Sequence, residues 1–263
     1  MYTLIVNGTV VTAEKSFKAD VLIKDEIIVD VAEKLSVDSA RVYDAHGLFV
    51  MPAGIDPHVH LDLPMAGTIS SDDHYSGGKA AAFGGTTTVI DFVSQHEAGL
   101  AESIRLHRQN ADPKTCIDYS SHMNITHFNE KVAREITLPK HGITSIKVFT
   151  AYNDRLRIND GDVFKAMRIA GANKLLTMVH AENGDVIDIL VSEALQSNHA
   201  EPIWHALTRP GWGAVEASLR AFALGAQAQA PVYLVHMNMA GEVDQLAYAR
   251  SKELHAMGET CPQ

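Results

Sequence analysis

The sequence predicts an α/β protein with a parallel sheet behind a small β module. Three observations carry that prediction: a change of texture near residue 51, seven short apolar runs after it, and helix-like stretches between those runs. Residues 1–50 alternate apolar and polar, as in TLIVNGTVV and ADVLIKDEIIVDV, with Asn7-Gly8 and Lys24-Asp25 as turn signals, so they read as a small antiparallel β module. From Met51 onward the strand candidates are AGIDPH, TTTVIDF, CIDYSSHM, ITSIKVF, KLLTMVH, APVYLVH and HAMGET. Helical stretches such as DDHYSGGKAAAFG, LAESIRLHRQN, DGDVFKAMRIAGAN and GAVEASLRAFALGAQAQA separate them. Repeated strand–helix alternation implies helical crossovers between parallel strands. Seven strands favour a (β/α) barrel, with a doubly wound sheet close behind. The domain division expected is 1–50 and 51–263.

Bulk properties narrow the function classes. The 263 residues can bury a substantial core, and 46% hydrophobic with 21% charged residues is ordinary for a globular chain. A formal charge of −10 gives nucleic acid no electrostatic footprint to bind. Cys116 and Cys261 are the only cysteines, which is no disulfide framework and fits a reducing cytosol. No secretory leader and no membrane-spanning apolar run are visible, so the expectation is a soluble, cytoplasmic protein.

In a (β/α)₈ barrel, chemistry gathers at the carboxyl ends of the strands. The first strand candidate runs into His58-Val59-His60, whose two imidazoles point the same way because side chains two apart share a strand face. The fourth carries Lys147, the fifth ends in His180 and the sixth in His236. Each has an ordinary reading. With 14 histidines in the chain, an H-x-H can arise by chance, and a strand lysine can snorkel its amine to water. His74, His96, His122, His127, His141 and His205 receive that ordinary reading. The four strand-end histidines and Lys147 share one rim in the expected fold, and their joint pattern favours a metal centre.

MPAGIDPHVHLDLP, AAFGGTTTVIDF, SIKVFTAY, VHAENGD, EPIWHALTRP and GETCPQ, in this order, resemble the hydantoinase/dihydropyrimidinase branch of the amidohydrolase superfamily. The resemblance implies a (β/α)₈ metal-dependent hydrolase barrel beside a β-sandwich, with residues 1–50 as the amino-terminal part of the sandwich. It implies two zinc ions at the barrel mouth. His58 and His60 match ligands of the more buried ion, His180 and His236 those of the more exposed one. Lys147 matches a lysine carboxylated on its amine, which bridges both ions. A carbamate is needed because an ammonium with a pKa of about 10.4 is repelled by a dication. Tyr152 matches the tyrosine that hydrogen-bonds the substrate carbonyl, and the ions share a water that opens a cyclic amide. The substrate class implied is dihydropyrimidines or 5-substituted hydantoins, handled by a homo-oligomer, a dimer or tetramer.

The chain departs from the family pattern at its end. GETCPQ matches the seventh strand, so the eighth strand and the aspartate that moves the proton are expected to lie outside these 263 residues. Asp56 and Asp62 read as structural or rim carboxylates. Residues 1–263 alone are therefore expected to turn over little substrate. The alternatives are an inactive fragment, a non-enzymatic dihydropyrimidinase-like scaffold and an allantoinase. Retention of all five available ligands argues against the scaffold. Asp62, where dihydroorotases place an arginine, argues against that activity. Trp204 and Thr150 replace a tyrosine and a methionine usual in the family and touch no metal position. Leu63, Met65 and Phe149 suggest a partly apolar pocket.

Overall fold

The alternation of the first fifty residues folds into two small sheets. A computed structural model describes residues 1–65, 67–136 and 142–261, so His141 lies outside the described residues. The chain divides into two compact units, Met1–Gly54 and Ile55–Gln263. In the first, the strands are β1 (Tyr2–Val6), β2 (Thr9–Val11), β3 (Ser16–Lys18), β4 (Asp20–Lys24), β5 (Ile27–Ala32), β6 (Arg41–Asp44) and β7 (Phe49–Val50). One sheet has the order β5-β4-β1-β6 and the other β3-β2-β7. Asp25, at φ 55°, turns β4 into β5, and Asn7, at φ 61°, turns the chain out of β1. Both residue types tolerate the left-handed region. Val10, Ala19 and Val21 form a small core with Ile5, Phe17, Ile23 and Val50 around it.

The module is mixed rather than antiparallel. β1 pairs β6 and β2 pairs β7 in parallel. Asn7-Gly8 does not close a hairpin; it carries the chain from one sheet to the other. The chain later repeats that passage through β6 and β7, in the same direction, alongside β1 and β2.

The second unit is built on β8 (Gly54–Val59), β11 (Thr86–Val93), β12 (Asp118–Asn124), β13 (Ser145–Phe149), β14 (Leu176–His180), β15 (Val232–Leu234) and β16 (Ala256–Gly258). A short hairpin, β9 (Pro64–Met65) with β10 (Thr68–Ile69), follows the first of these. The helices are α1 (His74–Phe83), α2 (Leu100–Ala111), α3 (Glu130–Glu135), α4 (Asp160–Ala172), α5 (Gly184–Gln196), α6 (Ile203–Leu207), α7 (Gly211–Ala228) and α8 (Ala240–Ser251). The sheet order is β16-β15-β14-β13-β12-β11-β8, so neighbours in space are neighbours in sequence. The pairs from β11 through β16 are all parallel. A doubly wound sheet reverses direction at a switch point, whereas a barrel steps one way throughout. Sequential order settles the choice: the sheet is seven strands of a (β/α) barrel.

Helical period places the outer core. Val163, Ala166, Met167 and Ala170 make one face of α4, and Ala217, Ala221, Phe222, Gly225 and Ala228 one face of α7. Both faces join Ile146, Val148 and Val179 from the backs of β13 and β14 in one cluster. Asn159 starts α4 by accepting the amide of Asp162 at 3.0 Å. Gly225 sits where a Cβ would lie 2.2 Å from Val232 Cγ2, so glycine lets α7 approach β15.

Candidate metal centre

Sheet register brings the strand-end residues together. Across the sheet, Phe92 pairs with His122, Asn124 with Lys147, Lys147 with Met178 and Met178 with Tyr233. Residues in register share a face, so these side chains point away from the helices. Phe92, Met178 and Val235, with Tyr233, form the apolar floor. Phe149 pairs with His180 one step further along the strands. His236 breaks this parity. Val235 already faces the floor, so a regular strand would turn His236 to the opposite side. Instead His236 adopts φ 41°, a region rare for a non-glycine residue, and its ring comes back over the rim.

The rings and Lys147 then lie in contact. Lys147 Nζ is 3.3 Å from His58 Nε2 and 4.1 Å from the centre of the Phe92 ring. His180 Nδ1 stands 3.0 Å from His236 Nε2. Ring centres are 5.2 Å apart for His58 and His60, and 5.6 Å for His58 and His236. Two glutamates hold the rings from behind. His180 Nε2 donates to Glu182 at 2.7 Å, and His58 Nδ1 donates to Glu259, which also accepts from the Tyr233 hydroxyl at 3.0 Å. Each glutamate fixes a tautomer, leaving His58 Nε2 and His180 Nδ1 with lone pairs toward the centre.

Burial governs the charge states. It lowers Lys147 to about 8, with the charge of Glu259 opposing the drop. His236 is pushed down to about 3 by burial and then by the charges of His180, Lys147 and His58. The same causes, burial first and then Lys147 and His58, lower His60; its exposure on the edge strand lets water moderate the shift. Burial raises the Tyr152 hydroxyl, as does the charge of Glu182. Burial also pushes Glu182 up, but the hydrogen bond and charge of His180 and the charge of Arg209 outweigh it and leave the carboxyl lowered. At neutral pH His60 and His236 therefore offer lone pairs, beside a lysine that gives up its proton more readily than an ordinary one.

No family model matches the chain. It is 45% identical over its whole length to a D-hydantoinase of Geobacillus stearothermophilus, of which it covers 56%. It is 38% identical, over 97% of its length, to a dihydropyrimidinase of Caenorhabditis briggsae, covering 54% of that protein. The chain superposes on a D-hydantoinase crystal structure with a TM-score of 0.97 at 44% identity, covering 100% of itself and 58% of that chain. For the dihydropyrimidinase of Brevibacillus agri the TM-score is 0.98 at 44% identity, with the same coverage. The chain belongs to the hydantoinase/dihydropyrimidinase family. It spans a little over half the length of the relatives it matches.

The side chains of this hydantoinase-family chain suit a metal centre by their chemistry. Lys147 is 2% exposed, and no carboxylate of the described residues forms an ion pair with it. A buried amine among imidazoles lacks the partner that burial of a charge requires, whereas an anionic carbamate with cations beside it would be matched. The 3.0 Å between His180 Nδ1 and His236 Nε2 is close to the roughly 3.3 Å between neighbouring donors on zinc with bonds of about 2.0–2.1 Å. The five residues form two close pairs with His60 alongside rather than one tight ring. The one group of three His, Cys, Asp or Glu side chains with ligand atoms all within 4.8 Å, among the described residues, is His74, Asp91 and His107.

Tyr152 stands beside the centre, 36% exposed, with its ring 5.0 Å from that of His180 and its backbone at φ 65°. Asp62 is a structural carboxylate: it binds Lys114 Nζ at 2.9 Å and accepts the His74 amide at 3.3 Å. Asp56 accepts the His58 amide at 3.1 Å. His122 is buried, with its ring bonded to Ser145 and to the Pro57 carbonyl. Sequence reasoning passed over Glu182 and Glu259. The available signal was position: each follows a strand end, in HAENGD and HAMGET, on the side of the sheet that carries the histidines.

Proposed function

We propose that this chain carries the metal centre of a cyclic-amide hydrolase acting on hydantoins or dihydropyrimidines. The observation that carries the proposal is buried Lys147, without a carboxylate partner, against His58 Nε2 on the rim where His180 and His236 meet. His58, His60, His180 and His236 would hold two zinc ions, with Lys147 carboxylated between them. Bound there, the ions would polarise an amide carbonyl and activate water at neutral pH. Glu259 and Glu182 keep His58 and His180 in the tautomers that present the free nitrogens. Lys147, with a pKa near 8, has about 300-fold more neutral amine near pH 7 than an ordinary lysine, and the neutral amine is the form that reacts with CO₂. Tyr152, held protonated, would donate a hydrogen bond from its hydroxyl to the carbonyl oxygen of the ring. Glu182 and Glu259 are both engaged by histidines, so neither is assigned the proton transfer to the leaving nitrogen. The reading extends to residues 1–50 as sandwich strands and to a cytoplasmic oligomer of two or four copies.

Zinc content after exhaustive dialysis tests the centre. His58→Ala and His236→Ala should each lose metal relative to the parent, since each removes a ligand of a different ion. Ring opening of hydantoin and dihydrouracil, measured with zinc and bicarbonate, tests the activity. Zinc-dependent turnover that Lys147→Ala abolishes supports the assignment, and turnover unchanged in that variant refutes it. Zinc binding without ring opening would leave the metal assignment standing and match the small turnover expected of residues 1–263 alone.

A further inference from the structure

A second cluster lies on the other face of β11. Phe92 points to the apolar floor, so Asp91 points to the helical layer, where α1 begins with His74 and α2 carries His107. His74 Nε2 is 3.5 Å and His107 Nε2 3.9 Å from Asp91 Oδ2. Those distances are too long for hydrogen bonds. His74 is 1% and Asp91 2% exposed, and the buried Nε2 atoms of His74 and His107 have no hydrogen-bond partner. Each such orphan costs about 1–3 kcal/mol. Asp91 Oδ1 is fixed by the backbone amides of Phe92, at 2.7 Å, and Leu61, at 3.3 Å, which leaves Oδ2 aimed at the two rings.

From this convergence we infer a further metal site, formed by His74, Asp91 and His107, that takes a zinc-class divalent ion and ties α1 and α2 to β11. Two imidazoles and a carboxylate are a recurrent zinc donor set, whereas calcium and magnesium want oxygen alone. Donors on zinc lie roughly 3.3 Å apart. His74 and Asp91 already stand near that spacing, His107 lies about half an ångström further from Asp91 Oδ2, and the three ligand atoms all lie within 4.8 Å of one another. Burial lowers the pKa of both imidazoles, His107 to about 4, and so keeps their lone pairs available. Burial also raises Asp91 to about 7, and a bound cation would hold that carboxylate ionised. The site is separate from the strand-end centre, because strand β11 stands between the two.

Zinc titration of the metal-free protein by calorimetry tests this, with His107→Gln and Asp91→Asn beside the parent and circular dichroism as the check on folding. Each variant should bind one zinc per chain fewer than the parent. A second measurement does not depend on those variants. His58→Ala/His236→Ala lacks ligands of both strand-end ions yet should still take up cobalt(II), giving a visible absorption band, and should gain thermal stability when zinc is added. Equal zinc counts in the parent and the folded single variants would overturn the inference. So would a His58→Ala/His236→Ala chain that takes up neither metal.

Discussion

Replacing Lys147 with methionine should stabilise the metal-free protein. The amine is 2% exposed and its pKa falls from 10.5 to about 8, so the protonated form destabilises the folded state by about 3 kcal/mol. Loss of the contact between Nζ and the Phe92 ring, 4.1 Å from its centre, returns about 0.5–1 kcal/mol. Methionine is similar in length and needs no solvation, which leaves a net gain of about 2 kcal/mol at pH 7. The pH dependence has a definite sign. Below pH 8 the amine is protonated in both states, and the folded chain bears the full penalty. Between about pH 8 and 10.5 the folded amine is neutral while the unfolded one keeps its proton, so stability of the parent climbs with pH. The difference between parent and variant should therefore shrink steadily over that window. Urea unfolding in EDTA and CO₂-free buffer at pH 7 and pH 10 measures it, with a midpoint shift of about 1 M at the lower pH. Under the proposed assignment of Lys147 as a carboxylated zinc ligand, the order should invert with zinc and bicarbonate, because methionine offers no amine to carboxylate. A variant less stable than the parent at pH 7, or a gap that persists at pH 10, would refute the account of a buried amine without a carboxylate partner.

Phe92→Ala removes a ring that is 3% exposed and lies under His58, His60 and Lys147, and should cost about 3–5 kcal/mol in urea unfolding while lowering zinc affinity. Gly225→Ala should cost about 1–3 kcal/mol, because its Cβ would meet Val232 Cγ2 at 2.2 Å; an unchanged thermal midpoint would show that α7 can move away from β15.

Much of the site was legible because strands have a period of two and barrels place chemistry at strand ends. Those two rules predict His58, His60, Lys147 and His180 on one rim. In the fold Phe149, two residues beyond Lys147, pairs with His180. Lys147 Nζ lies 3.3 Å from His58 Nε2, and the His58 and His60 rings are 5.2 Å apart. His236 was legible as a strand-end histidine but not by face. Its ring reaches the centre through φ 41°, a conformation that the residue type does not announce. Glu259 lies 201 residues from the histidine it orients, and local pattern carries no information about such a partner.

By itself the sequence determined the alternation of strands and helices, the turn residues Asn7 and Asp25, and the residue types able to hold a metal, since all of these follow from local period and side-chain chemistry. Only the tertiary structure decided the rest. The sequential strand order separated a barrel from a doubly wound sheet, and the parallel returns of β6 and β7 made the first module mixed. His74, read as an ordinary histidine, meets Asp91 and His107 only because α1, β11 and α2 pack together. Which residues meet across such distances is set by how whole elements bury their apolar faces, and no local window contains that information.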